Sequence, residues 1–322
     1  MRYTRIATDL TRFCAERFAP GYEDPFNINA RARIGVLEGW VSVVLNTAMA
    51  AGKFWIAAFT GSISLLADAA HTLSDTLTSV VVILGFRAAR RPPDTEHPFG
   101  HGRVEQVASL IIGVLLAVTG VEMGRAAVMR VLNPQLVVAS MPAIVVVSVM
   151  MLLKEWLARF SFGLGRLIDS RALAADAWHH RSDAIATALV VLGFVAGRYN
   201  IGWADGLAGI GVAGVIVWAA WKIVRESADP LVGVPAPEGL RDRLHEAVAT
   251  VPGVIGVHAL KVHQFGVRYD CSMHVRVSAE LKVGDAHRIA TDAERVIRSV
   301  FPGTAAVHVD PAIKDSVEED ER

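Results

Sequence analysis

Six runs of apolar residues, each near the length of a bilayer crossing, leave this chain few folds to choose from. A hydrocarbon core about 30 Å thick takes roughly 20 apolar helical residues, and residues 34–59, 64–86, 104–131, 141–157, 172–197 and 203–224 approach or exceed that length. Inside lipid the backbone must satisfy its own N–H and C=O groups, so these runs read as helices. Composition supports the reading: 52% of the 322 residues are hydrophobic and 20% charged. The excess is gathered in the runs rather than scattered, as in an integral membrane protein. Gly113, Gly120 and Gly209 inside them suit close helix packing rather than argue against helix.

An even number of crossings returns both termini to one side. Arg87, Arg90 and Arg91 after the second run, and Arg159, Arg166 and Arg171 between the fourth and fifth, lie on that side with Arg31, Arg33, Lys222 and Arg225. The opposite connections hold only Arg130 and Arg198 near helix ends, so the positive-inside rule makes both termini cytoplasmic. Residues 1–30 carry charges throughout and lack a continuous apolar stretch. They are expected to form a cytoplasmic segment, either a short surface helix or partly disordered, and not a cleaved signal. A net charge of zero and the absence of any basic concentration argue against a nucleic-acid partner. Cys14 and Cys271 are too far apart in sequence for a zinc knuckle and imply no disulfide framework.

The membrane region is expected over 31–228. The texture changes at Asp229-Pro230, and Gly233, Pro235, Pro237 and Gly239 mark a linker over 229–239. Beyond it, residues 240–250 read as an amphipathic helix, 254–264 and 268–278 as strands, 286–300 as a helix and 305–310 as a last strand. That order, α-β-β-α-β, suggests a two-layer domain over 240–311 with helices on one face of a mixed sheet. Residues 312–322 read as a solvated acidic tail.

Within the second and fifth runs one phrase is written twice: ADAAHTLSD at 67–75 and ADAWHHRSD at 175–183. Helical spacing of three and four residues places Asp68, His71 and Asp75 on one stripe, and Asp176, His179 and Asp183 on another. Carboxylates are expensive in hydrocarbon and belong to a bundle interior or a cavity, where they mark ion or proton routes. Two histidines and two aspartates on facing helices supply an N2O2 set that zinc accepts, with the carboxylates neutralising a divalent ion. His71, Asp75, His179 and Asp183 are therefore the expected transport ligands. Asp68 and Asp176, one turn away, are candidates for admitting the ion or orienting imidazoles. His180, rotated by about 100° from His179, should face a neighbouring helix or water, and Arg181 should avoid the ion. Glu38 and Asn46 on the first run are candidates to line the cavity.

Outside the membrane, the loop DTEHPFGHGR at 94–103 offers Asp94, His97 and His101, with Glu96 a less favoured alternative. The tail domain offers His258, His263, His274, His287, His308 and Asp310. Strand alternation turns Cys271 and Met273 away from His274, so Cys271 reads as a core residue.

These residues resemble the cation diffusion facilitator family of divalent metal/proton antiporters. The phrases are GSISLLADAAHTLSD at 61–75, HPFGHGRVE at 97–105, DAWHHRSD at 176–183 and FPGTAAVHVDP at 301–311. The resemblance implies an all-α six-helix transmembrane domain followed by a small α+β, ferredoxin-like cytoplasmic domain. It implies a homodimer, transport ligands at His71, Asp75, His179 and Asp183, and a linker site at Asp94, His97 and His101. It also implies a cytoplasmic binuclear site at His258, His274, His287, His308 and Asp310, and a charge interlock of Arg103 with Asp229. Bacterial relatives place such a chain in the inner membrane, exporting zinc or another divalent transition metal in exchange for protons. Histidine at both His71 and His179 resembles the zinc-favouring arrangement, and iron, cobalt, nickel, cadmium and manganese are the alternative substrates. A membrane metal sensor or scaffold that does not transport is the competing class. An intramembrane metalloenzyme is disfavoured, since four protein ligands leave no open position for an activated water.

Overall fold

The computed structural model of the chain describes residues 2–24, 26–60, 63–133, 141–198, 204–233, 239–266, 268–301 and 303–312. It divides into two compact units, Met1–Arg91 with Arg103–Ala228, and Pro92–Gly102 with Asp229–Arg322.

The first unit is helical. Helix α1 (Arg2–Phe18) is followed by α2 (Ile28–Thr60), α3 (Ile63–Ser74), α4 (Thr76–Ala89), α5 (Val104–Leu132), α6 (Met141–Leu167), α7 (Arg171–Arg198) and α8 (Ala204–Val232). Among the described residues, four stretches are long and apolar enough to cross a membrane: Ile28–Ile56, Ala69–Ala89, Val104–Leu132 and Gly206–Val232. Helices α6 and α7 are as long, at 27 and 28 residues, but carry Lys154, Glu155 and Arg159, and Asp176, Arg181 and Asp183. The outward faces show large apolar side chains such as Leu84, Val121, Leu152, Trp218 and Trp221, a surface suited to lipid rather than water. Inside, Ile34, Phe86, Ile112, Leu116, Leu164, Leu173 and Ile216 form one buried cluster. Small residues bring the helices close: a Cβ on Gly35 would fall 2.1 Å from the Phe86 ring, and one on Gly85 2.6 Å from Ala108.

Two features depart from expectation. The N-terminal segment takes the helical alternative as α1 but is not confined to the surface: Thr11 and Ala15 on α1, with Ala19 just beyond its end, are buried at four-residue spacing. Thr11 packs against Gly163 of α6, where a Cβ would lie 2.6 Å away. The second apolar run is not one helix either, for α3 ends at Ser74 and α4 begins at Thr76. At the break the Thr78 N–H reaches the Asp75 carbonyl at 3.2 Å, and the Thr78 hydroxyl donates to the same oxygen at 2.7 Å. A side-chain hydroxyl thus competes for a backbone acceptor, without any Gly or Pro to announce the interruption.

In the second unit, α9 (Leu240–Ala249), β1 (Gly256–Phe265), β2 (Arg268–Ser278), α10 (Val283–Val300) and β3 (Gly303–Ala312) follow the expected order. The sheet runs β1-β2-β3, antiparallel between β1 and β2 and parallel between β2 and β3. Period-two alternation buries Cys271, Met273, Val275 and Val277 of β2 against Leu244 and Val248 of α9 and Ala293 and Ile297 of α10. The opposite face of β2 carries His274. The loop 92–102 groups with this unit, with Phe99 stacked on Phe265 at 4.7 Å.

Candidate metal centres

Asp75 sits at the break between α3 and α4, and the other proposed transport ligands gather around it. His71 Nε2 lies 3.9 Å from Asp75 Oδ1, His179 Nε2 lies 3.8 Å from the same oxygen, and His179 Nε2 lies 3.8 Å from Asp183 Oδ2. His71, Asp75 and Asp183 each offer a ligand atom within 4.8 Å of the others. His71 is the exposed member, its side chain 65% accessible, while Asp75 and His179 are nearly closed off. Neither ring nitrogen of His179 has a hydrogen-bond partner although both are buried. A buried imidazole without partners, facing two carboxylates, is suited to a cation. The Asp68 side chain lies outside the described residues.

The centre contains a group that sequence reasoning missed. Lys154 of α6 places its Nζ 2.8 Å from Asp75 Oδ2 and 2.8 Å from Asp183 Oδ2, and its side chain is only 7% accessible. The signal was available: a lysine inside an apolar run is an intramembrane ionisable residue.

Arg181 and Asp176 of the second phrase point elsewhere. Arg181 pairs with Glu155 at 3.2 Å and lies 4.9 Å over the Phe162 ring, clear of the tetrad as expected. Asp176 does not orient a tetrad imidazole by hydrogen bond; its Oδ2 lies 3.1 Å from Nε2 of His180. Near the ends of α2, α5 and α7, Arg31 grips Glu105 with two bonds of 2.8 and 2.7 Å. Ser170, leading into α7, donates to Glu105 at 2.7 Å, and this network sets where α7 starts.

In the loop, Asp94 Oδ1 accepts the backbone N–H groups of Glu96 at 3.1 Å and His97 at 2.7 Å, an Asx turn that fixes the carboxylate. His97 Nδ1 and His101 Nε2 each lie 3.5 Å from it. The His97 N–H bond, aided by the other backbone bond and both imidazoles, holds the Asp94 carboxyl below its ordinary pKa. Glu96 takes part only through its backbone in this turn.

In the tail domain, pairing does what sequence cannot. His258 is opposite His274 across β1 and β2, and His274 is opposite His308 across β2 and β3, so the three imidazoles form a row on one face. Asp310, two residues beyond His308, closes the row. Its Oδ2 is 3.1 Å from His258 and 2.9 Å from His274, and its Oδ1 is 3.2 Å from His308. A bulge after His258 shifts the register, with Ala259 at φ 49°. The donor set fits a divalent transition metal. His287 is exposed on α10 and is not among the groups gathered on Asp310, nor is the exposed His263 of β1.

Two family models match the chain: a cation efflux transmembrane domain over residues 39–232, and a cation efflux protein cytoplasmic domain over residues 236–312. An uncharacterized transporter of Methanocaldococcus jannaschii is 34% identical over 271 residues, which are 84% of this chain and 96% of that protein. The cation-efflux pump FieF of Cronobacter sakazakii is 29% identical over 79% of this chain and 85% of its own. Metal tolerance protein C1 of Arabidopsis thaliana is 30% identical over 78% of this chain and 57% of its own.

Proposed function

The chain belongs to the cation efflux family, the cation diffusion facilitators, whose members are membrane transporters and not enzymes, and from that premise we propose that it exports zinc from the cytoplasm in exchange for protons. The observation that carries this reading is Lys154. An ammonium held 2.8 Å from carboxylates on two different helices marks a place in the bundle built for a cation.

A substrate ion must displace that ammonium. Metal bound to Asp75 and Asp183 at about 2.0–2.2 Å would leave a double and a single positive charge within a few ångströms, a repulsion of several kcal/mol. Metal and lysine are therefore alternative occupants. A monovalent ion brings the same charge as Lys154 and gains little by replacing it. A divalent ion gains a second charge, and a transition ion also gains the nitrogens of His71 and His179. Magnesium and calcium prefer oxygen shells, so zinc stands first, with iron, cobalt, nickel, cadmium and manganese behind it.

Six crossings with both termini cytoplasmic, and a homodimer joined through the tail domains, complete the reading. Alternating tilts of α3, α4 and α7 would open the tetrad first to one side and then to the other. When metal leaves, protons and Lys154 restore the balance of charge. Asp94, His97 and His101, and His258, His274, His308 and Asp310, bind regulatory metal on the cytoplasmic side, with His287 as the further ligand implied by the family.

Flux of a metal panel into proteoliposomes under a pH gradient tests this, run beside His71→Asp. We expect zinc uptake coupled to proton movement, and altered metal preference in the variant. A well-assembled dimer that binds metal in its tail and moves none across the bilayer would instead be the sensor of the competing reading.

A further inference from the structure

Beside the tetrad, toward the start of α7, lies a second constellation. Glu38 of α2 and Asp176 and His180 of α7 each offer a ligand atom within 4.8 Å of the others, and all three side chains are wholly inaccessible to solvent. Ser42 joins them, its hydroxyl 3.0 Å from Glu38 Oε1 and 3.1 Å from His180 Nε2. Ser161 of α6 donates to Glu38 Oε1 as well.

The arrangement differs from the tetrad in one respect that matters. There, Lys154 balances the aspartates. Here, among the described residues, no lysine or arginine pairs with Glu38 or Asp176. Glu38 Oε2, Asp176 Oδ1 and His180 Nδ1 are buried without any hydrogen-bond partner, while Asp176 Oδ2 has His180 Nε2 at 3.1 Å. Two wholly buried carboxylates without a fixed positive charge are costly unless a cation joins them. Two carboxylate oxygens and one imidazole nitrogen, with hydroxyls at hand, suit a divalent transition ion.

We propose that Glu38, Asp176 and His180 form a second divalent transition-metal site within the helical unit. His179 and His180 are consecutive, with ring centroids 5.7 Å apart, so neighbouring imidazoles of one helix turn serve neighbouring ions. The second site is a station next to the tetrad, which an ion occupies before or after displacing Lys154. The station role rests on the efflux reading; the binding site does not.

The test uses full-length protein in detergent. Asp75→Asn, Asp183→Asn, Asp94→Asn and Asp310→Asn together remove a carboxylate from each of the other clusters. The protein is loaded with Co2+, desalted and assayed by elemental analysis and visible absorption. One ion per protomer should remain in this background and be lost on adding Glu38→Gln. Asp176→Asn and His180→Gln provide further near-isosteric variants should Glu38→Gln not elute as a folded species. A background that retains no ion, or an ion that survives all three substitutions, overturns the site. In proteoliposomes, Glu38→Gln in otherwise unaltered protein should slow metal flux by about tenfold or more, equivalent to about 1.4 kcal/mol; unchanged flux overturns the station role. If unaltered protein moves no metal, the efflux reading fails while the ion count still decides the site.

Discussion

Lys154 and Asp183 form a salt bridge of 2.8 Å between α6 and α7, inside the constellation proposed to carry metal. The same ammonium reaches Asp75 at 2.8 Å, so one residue neutralises carboxylates from two different helices. Lys154→Met keeps the length and removes the charge. It strands two buried carboxylates, and breaking a buried pair in this way costs about 3–5 kcal/mol. Metal-free protein should therefore melt earlier, while the metal, freed from its competitor, should stabilise the variant more than it stabilises the parent. Thermal unfolding with and without zinc measures both changes. An equal metal-induced shift in the two proteins would show that lysine and metal do not share a place.

Asp183→Ala should bring flux down to that of protein-free vesicles while the protein still elutes as a folded species. The separation of effects follows from the geometry: Lys154 retains Asp75 as its partner, so no cation is left alone, whereas the metal loses a carboxylate. Proteoliposome uptake beside size-exclusion chromatography checks it. Wild-type flux with intact expression would remove Asp183 from the ligand set.

How far these features can be read from sequence depends on the distance over which each is determined. The pairs His71 with Asp75 and His179 with Asp183 were legible because a spacing of four is local to a helix, and these four side chains do gather, whereas Asp176 turns to His180 instead. Lys154 was visible as a lysine in an apolar run, but its place was not, since only the packing of α6 on α7 brings its ammonium between Asp75 and Asp183; such a lysine can equally snorkel to an interface. The rotation of His180 away from the tetrad followed from helical geometry, but its partners Asp176 and Ser42 include one from α2. The elements of the tail domain emerged in the right order, with strand ends shifted by one or two residues. The row His258, His274 and His308 depends on strand pairing and on a bulge at Ala259, neither of which periodicity encodes. The interruption at Asp75 stayed hidden because a threonine hydroxyl, not a breaking residue, marks it.

In the tail domain His274 occupies the middle of the row, flanked by His258 and His308, and touches Asp310 at 2.9 Å. His274→Ala should weaken metal binding there by about tenfold or more, at least about 1.4 kcal/mol, and leave transport running at a reduced rate. His287→Ala, at an exposed position of α10 and not among the groups gathered on Asp310, should do less to binding by the row itself. Titration calorimetry on full-length protein with the transport ligands Asp75 and Asp183 changed to asparagine separates the two. Equal losses from both variants would place His287 in the same coordination shell.

Cys271 tests whether the fourth position of β2, on the face opposite His274, is core or ligand. Its side chain is buried among Met273, Val275 and Ile297, and burial, aided by the charge of Asp270, pushes its thiol pKa up to about 11 from an ordinary 9.0. The neutral thiol is the form the folded domain favours. Its contribution to stability is thus fully present below the ordinary value and lost as pH rises through about 11. At pH 8 only about one thiol in a thousand would be ionised, and the thiolate is the nucleophile. Iodoacetamide should therefore leave Cys271 unmodified in native protein at pH 8 and label it on denaturation, with or without zinc. Peptide mass spectrometry reads the outcome. Rapid native labelling that zinc suppresses would instead make Cys271 a metal ligand, and the alternation that turns it from His274 would then have been misread.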